Sequence, residues 1–246
     1  QSKDQFFPPL KRINARVKKL SVLGHDFETV SLGGVKLEDH WQVNVESEQA
    51  QGQLKLFDQW FDKGIVANFE LLTLNKPSEN ESNNTATRES LRELPPVSFL
   101  CQQCLISGFD LGNISFKSKP HLQGIAINDF KIHANESDVK ANAIWGFDSD
   151  GEYFSVIGDL KSDNIESTLA IFDYSTSIKE STVDITVDLM WRSGLGDLAL
   201  PTLNGDIKWK LGEGHIAEVS DQGARIFSLF SLDSLRRKLV LDFRDV

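Results

Sequence analysis

The run Thr182–Trp191, TVDITVDLMW, alternates without a break. Val183, Ile185, Val187 and Leu189 share one parity, and Thr182, Asp184, Thr186 and Asp188 share the other. In an extended strand successive side chains point to opposite faces, so this run reads as a strand with one apolar and one wet face. Much of the chain carries the same signature. HWQVNVES puts Trp41, Val43 and Val45 on one side. GIAINDFKIHA carries Ile125 and Ile127, then Phe130 and Ile132. The parity changes at Asn128-Asp129, which predicts a bulge or turn there. Strands apolar on one side only belong to antiparallel sheets with a single covered face. The chain is therefore expected to be mainly β, with Ile125, Ile127, Phe130, Ile132, Val183, Ile185, Val187 and Leu189 as candidates for its covered apolar face.

Punctuation supports strands. Gly33-Gly34, Asp150-Gly151 and Asn204-Gly205 read as turns, with Asp150-Gly151 closing a hairpin between AIWGF and EYFSVIG. Gly212-Glu-Gly214 lacks the Lys-Ser/Thr and the helix of a phosphate loop, and reads as a hairpin turn. Helical pattern is scarce. SDNIESTLAIFDY has the capping-box spacing Asp163 to Glu166, with Ile165, Leu169 and Phe172 at helical intervals. Near the C-terminus, DQGARIFSLFSLDSLRRKL predicts one or two short helices, with Ser231 as an N-cap between them, followed by a strand, LVLDF. Pro77–Glu93 is polar and nearly free of large apolar groups. It buries too little to offset the entropy of ordering, so a mobile linker or long loop is expected.

Two stretches repeat. GHDFETVSL (Gly24–Leu32) and GFDLGNISF (Gly108–Phe116) both read Gly-x-Asp-apolar-x-x-apolar-Ser-apolar. Each follows a strand-like run and a Pro-Pro opening, FPPL at 7–10 and LPPV at 94–97. One supersecondary unit used twice predicts a stacked or elongated β architecture. The expected organisation is a first β module at 1–77, a linker at 78–93, and a second β module at 94–246. That second module would carry the short C-terminal helices and a truncated last strand.

The net charge of -10 lacks the basic field of a nucleic-acid binder. No stretch approaches the roughly 20 consecutive apolar residues of a membrane-spanning helix. The start at Gln1-Ser2 and the end at LDFRDV read as an excised piece of a longer protein, whose anchor or export signal would lie outside it.

Candidate chemistry is sparse. Cys101-Gln-Gln-Cys104 has strand-like flanks rather than the helix N-terminus that a redox Cys-x-x-Cys needs. In an unbroken strand the two residues stand about 10 Å apart, beyond bridging distance. Either a turn at Gln102-Gln103 lets them form a local disulfide, or they are two inert thiols; redox or metal roles are the remaining readings. A zinc site would need two further ligands, and the five histidines are scattered. Asp148-Ser-Asp-Gly151 lacks the later Gly and Glu of a calcium loop and reads as a turn. The sequons at Asn80, Asn83, Asn113 and Asn135 match by chance in any source but a secreted eukaryotic protein. No catalytic motif, metal set or cofactor signature stands out, so an enzyme is not expected. Arg236-Arg237-Lys238 fits the last turn of a helix through its dipole, or alternatively lipid head groups.

One resemblance bears on function. GDIKWKLGEGHIAEVSDQGARIFSLFSLDSLRRKLVLDFRDV, preceded by MWRSGLGDLALPTLNGDI, resembles the C-terminal region of the large AsmA-like envelope proteins of Gram-negative bacteria, of the YhdP type and related to TamB. The stretch from LPPV through GFDLGNISF to GIAINDFKIHANESDVKANAIW resembles their repeated module. The likeness is carried mainly by residues 94 onward, and in 1–77 mostly by the internal repeat. It implies a long twisted sheet curled into a groove with an apolar floor, anchored in the inner membrane by an N-terminal helix outside this segment. It implies a periplasmic location and the movement of phospholipid between inner and outer membranes, supporting the outer-membrane barrier. The periplasm also permits disulfides. The competing expectation is a structural module docking envelope proteins, with no lipid handled in this segment.

Overall fold

A computed structural model describes residues 10–22, 25–75, 87–194 and 199–216. The chain forms two compact units, Gln1–Ala134 and Asn135–Val246. The C-terminal helices and last strand expected from the sequence, with Arg236, Arg237 and Lys238, lie outside the described residues, as does Gly24.

The first unit is a sheet. Its strands are β1 (Arg12–Val22), β2 (His25–Lys36), β3 (His40–Glu46), β4 (Ala50–Phe57), β5 (Ile65–Leu74), β6 (Val97–Ile106), β7 (Phe109–Asp110), β8 (Asn113–His121) and β9 (Gly124–Ala134). They lie side by side as β1-β2-β3-β4-β5-β6-β8-β9, with β7 paired to β6. Neighbours run antiparallel except β5 and β6, which are parallel. The sheet is therefore mixed, where alternation alone predicted a purely antiparallel one: period-two patterning reports which face is apolar, not strand direction.

Parallel neighbours need a crossover, and residues 75–96 supply it. This is the stretch expected to be a linker, and its end is helical. Helix α1 (Arg88–Arg92) starts at Thr87, whose side chain accepts from the Ser90 backbone while Ser90 Oγ accepts from the Thr87 backbone N–H. α1 packs against β8 and β9 and buries one large side chain, Leu91. A single apolar anchor is too little to show in composition. Residues 76–86 lie outside the described residues.

One expected turn is strand instead. Gly33 and Gly34 sit inside β2. A Cβ on Gly34 would lie 3.5 Å from Ile13, Trp41 and Val43 side-chain atoms, so the glycine makes room for the Trp41 ring. Trp41 is 1% exposed. The expected irregularity at Asn128-Asp129 is present. Asp129 has φ 52°, and the β8–β9 register shifts opposite it, between Ser115 and Lys117.

In the second unit β10 (Ser137–Asp148), β11 (Gly151–Ser162), β13 (Val183–Trp191) and β14 (Asn204–Leu211) run antiparallel in that order. The hairpin between β10 and β11 forms where expected, with Asp148 facing Gly151. Asn204-Gly205 opens β14 rather than a turn; the preceding 3-10 turn is Leu200–Thr202. Gly212–Gly214 is not a hairpin either. It leads out of the main sheet into β15 (His215–Ile216), which pairs with β12 (Ile178–Lys179). Helix α2 (Ile165–Ala170) is capped by Asn164, one residue later than expected, and buries Ile165. Phe172, expected on its apolar side, is 38% exposed because the helix ends at Ala170.

The Trp41 indole N–H is buried without a hydrogen-bond partner among the described residues. Trp41→Ala should therefore lower stability by about 3–5 kcal/mol. Trp41→Phe should cost only about 1–2 kcal/mol, since it also removes the unsatisfied donor. Urea midpoints at constant m check both values.

Candidate functional site

Register brings apolar side chains into rows that cross the first unit. One row runs Ala15, Leu32, Val45, Gly52, Phe69, Cys101, Ile114 and Ile132, one residue from each strand β1 to β9 except β7. The next runs Ile13, Gly34, Val43, Leu54, Ala67, Phe99 and Phe116. Phenylalanine rings meet across strands. Phe69–Phe99 centroids are 6.2 Å apart, Phe99–Phe116 5.0 Å and Phe116–Phe130 6.4 Å. Such pairs add to burial energy at these separations. Side chains on the other parity, such as Asn14, Arg16, Asn44 and Glu46, are exposed.

The core of this face surrounds the two cysteines. Cys101 and Cys104 are joined, with Cα atoms 5.9 Å apart, and are 0% and 1% exposed. The turn at Gln102-Gln103 that sequence reasoning required is absent. The chain stays extended through β6, and Gln102 and Gln103 both face solvent between the buried cysteines. A bulge, not a turn, closes the distance. Ala50, Leu72 and Ile114 complete the buried cluster, and Phe130 and Ile132 pack against it. The structure thus brings these two candidate face residues onto the disulfide. Ile125 is 7% exposed, and Ile127 faces Ser118 farther along β9.

The repeat explains the placement. Val17 stands 84 residues before Cys101 and Leu20 the same distance before Cys104. Val17 faces Val30 as Cys101 faces Ile114. Between Val17 and Leu20 two exposed residues intervene, as between the cysteines. The bridge occupies the place of an apolar pair.

In the second unit Ile185 lies between Leu160 and Trp209, and Val187 between Gly158 and Ile207. Val183 is 3% exposed; Ile185, Val187 and Leu189 are half-buried, while Asp184, Thr186 and Asp188 are exposed. Ile207 and Trp209 on β14 are 45% and 49% exposed. At the Val183 end, α2 is fastened by buried hydroxyls. Thr168 Oγ1 donates to Ser162 Oγ at 2.6 Å and lies 2.7 Å from Ser137 Oγ. Alternation could not reveal this cluster, because Ser and Thr are polar yet lie on the apolar parity.

A second missed group holds the β10–β11 turn. Arg192 Nη1 donates to both Asp148 oxygens at 2.7 and 2.8 Å, and Asp148 Oδ1 also accepts from the Asp150 N–H at 2.8 Å. The hydrogen bond from Arg192 holds the Asp148 carboxyl below its ordinary value. The false calcium-loop start is thus an arginine-clamped turn. Among the described residues no group of His, Cys, Asp and Glu could hold a metal.

The apolar rows and the internal repeat occur together in the first unit, and a family model described as YhdP protein matches residues 1–246. The chain belongs to the YhdP family. The match includes 1–77, where the motifs read from the sequence were sparse. In Escherichia coli (strain K12), the protein named intermembrane phospholipid transporter YhdP is 30% identical over 162 residues, 65% of this chain. The aligned part is 13% of that relative, so this YhdP-family chain spans a small fraction of its length. No solved structure matches the chain.

Two outcomes follow for this region. The disulfide closes a loop so short that it stabilises by only about 2 kcal/mol through the unfolded chain. Cys101→Val with Cys104→Leu, copying Val17 and Leu20, should recover most of that loss, while the double serine variant should not; thermal unfolding distinguishes them. A lowered carboxylate pKa contributes stability above the ordinary value, and that contribution disappears as pH falls through the folded value. Arg192→Gln should therefore raise the Asp148 titration toward the ordinary range, as followed by carboxyl NMR.

Proposed function

We propose that this chain is a periplasmic segment of an inner-membrane-anchored YhdP-family protein, and that its apolar sheet face carries phospholipid acyl chains between the inner and outer membranes. One observation carries the reading. The apolar rows of the first unit belong to a single sheet, and the other helix or strand element among its described residues is the five-residue α1. A face this apolar and this lightly covered marks a place for a ligand or partner. An acyl chain laid along it gains about 0.8 kcal/mol per buried methylene. The name of the Escherichia coli relative supports phospholipid as that ligand.

The half-buried state of Ile185, Val187, Phe99 and Phe116 suits a moving cargo. Side chains packed against one another need no ligand to stay folded, yet keep an outer surface that hydrocarbon can wet. The polar parity, with Asp184, Thr186 and Asp188, keeps the reverse side in water.

Photo-reactive residues at Ile185 and Val187 should yield phospholipid adducts in cells, and the same residues at Asp184 and Thr186 should not. Adducts to protein alone would favour a docking module, and equal lipid labelling of both parities would refute the groove. Phe116→Asp should reduce co-purifying phospholipid at least severalfold in native mass spectrometry.

A further inference from the structure

Strand β14 is the outer strand of the second unit: among the described residues its one strand neighbour is β13. The direction of its backbone groups follows from one hydrogen bond. The Gly212 N–H donates to the Thr182 carbonyl at 2.9 Å. Backbone groups alternate along an antiparallel strand. Asp206, Lys208 and Lys210 therefore turn theirs toward β13, and Ile207, Trp209 and Leu211 turn theirs away from it. Ile207 and Trp209 are 45% and 49% exposed on the apolar parity. The strand holds neither a proline nor a break in register. An edge of this kind invites a further strand, while Lys208 and Lys210 on the other parity disfavour strands without matching acids.

Leu239–Arg244, LVLDFR, supplies the match. It lies outside the described residues, and its alternation reads as a strand. Laid antiparallel beside β14 with Phe243 opposite Ile207, it puts Leu241 opposite Trp209 and Leu239 opposite Leu211. The same register puts Arg244 opposite Asp206 and Asp242 opposite Lys208. Both charged pairs fall at non-hydrogen-bonded sites, where facing side chains come closest. A slip of two residues spoils the match in either direction. One way sets Asp242 against Asp206 and Lys238 against Lys210; the other sets Arg244 against Lys208. A slip of one exchanges the apolar and polar parities.

Topology selects the direction. After β14 the chain passes Gly212 and enters β15, at the end of the sheet where Leu211 faces Val183. In the antiparallel register Leu239 comes back to that same end. A parallel strand can also match charges, with Lys238 beside Asp206, but it must first cross to the Asn204 end of the sheet. We infer that residues 239–244 form the next strand of the second unit, antiparallel to β14 with Phe243 opposite Ile207. This strand widens the apolar face. The row Leu160, Ile185, Trp209 continues to Leu241, and the row Gly158, Val187, Ile207 continues to Phe243. The pairing does not depend on the lipid reading.

Hydrogen exchange and cysteine bridging in the full 246-residue chain test it. The amides of Ile207, Trp209 and Leu211 should exchange at least about tenfold more slowly than those of an uncovered edge. Leu241→Pro, which removes an N–H aimed at β14, should abolish that protection. Val240→Pro should keep most of it, since the N–H it removes points away from β14. Lys208→Cys with Asp242→Cys should bridge at least about tenfold faster than Lys208→Cys with Val240→Cys. Cys101 and Cys104 are already joined and buried, and do not compete. Protected amides in β11 and β13 show that each variant is folded. Fast exchange of all three β14 amides in the native chain, protection that survives Leu241→Pro, or equal loss in both proline variants overturns the inference. Protection that grows with protein concentration also overturns it, in favour of a second copy at this edge. Faster bridging between positions 208 and 240 overturns it in favour of a parallel strand.

Discussion

Everything in this fold depends on backbone register. Each strand has one apolar and one polar parity, and a slip by a single residue would exchange them. The hydrogen-bonded ladder therefore does more than join strands. It decides that Phe99 lies between Ala67 and Phe116, and that Asn44 lies between Gly33 and Gln53. The apolar rows and the polar rows behind them are two readings of one register.

A bulge on one strand shifts that register, as at Asn128-Asp129 on β9. Bulges carried by two neighbours at the same level leave it intact. β5 and β6 run in parallel with Phe69 beside Cys101 and Leu72 beside Cys104, so both strands insert two residues between buried positions at the same level. The β4–β5 register shifts next to them, between Gln51 and Gly52, and Ala50 recovers the apolar parity opposite Leu72. Thr29, with φ 51°, interrupts β2 just before the buried Val30. The disulfide spans one member of this set and ties its two buried positions together.

Much of this was legible in the sequence because strand patterning is local. The faces of Trp41, Val43 and Val45, the parity change before Phe130, and the wet side of Val183–Leu189 follow from period two alone. Four things were not legible. The parallel β5–β6 pair depends on a crossover, and direction leaves no mark on alternation. Gly33-Gly34 reads as a turn, although Gly34 sits mid-strand under Trp41. The clamp of Arg192 on Asp148 joins residues 44 positions apart, and the hydroxyls of Ser137, Ser162 and Thr168 meet only once α2 has folded back. Of the candidate face residues, Phe130 and Ile132 joined the buried cysteine cluster, a meeting that needs the β8–β9 register and not just the composition of β9.

The constant 84-residue offset between Val17 and Cys101, and between Leu20 and Cys104, has an evolutionary consequence. A crossover between the two copies would add or remove a whole unit while keeping the turn, the bulge and the buried pair in phase. Parity would survive at the junction, so the apolar and polar faces would stay continuous. A chain built this way can change its number of strands by unequal recombination while every strand keeps one apolar and one polar face.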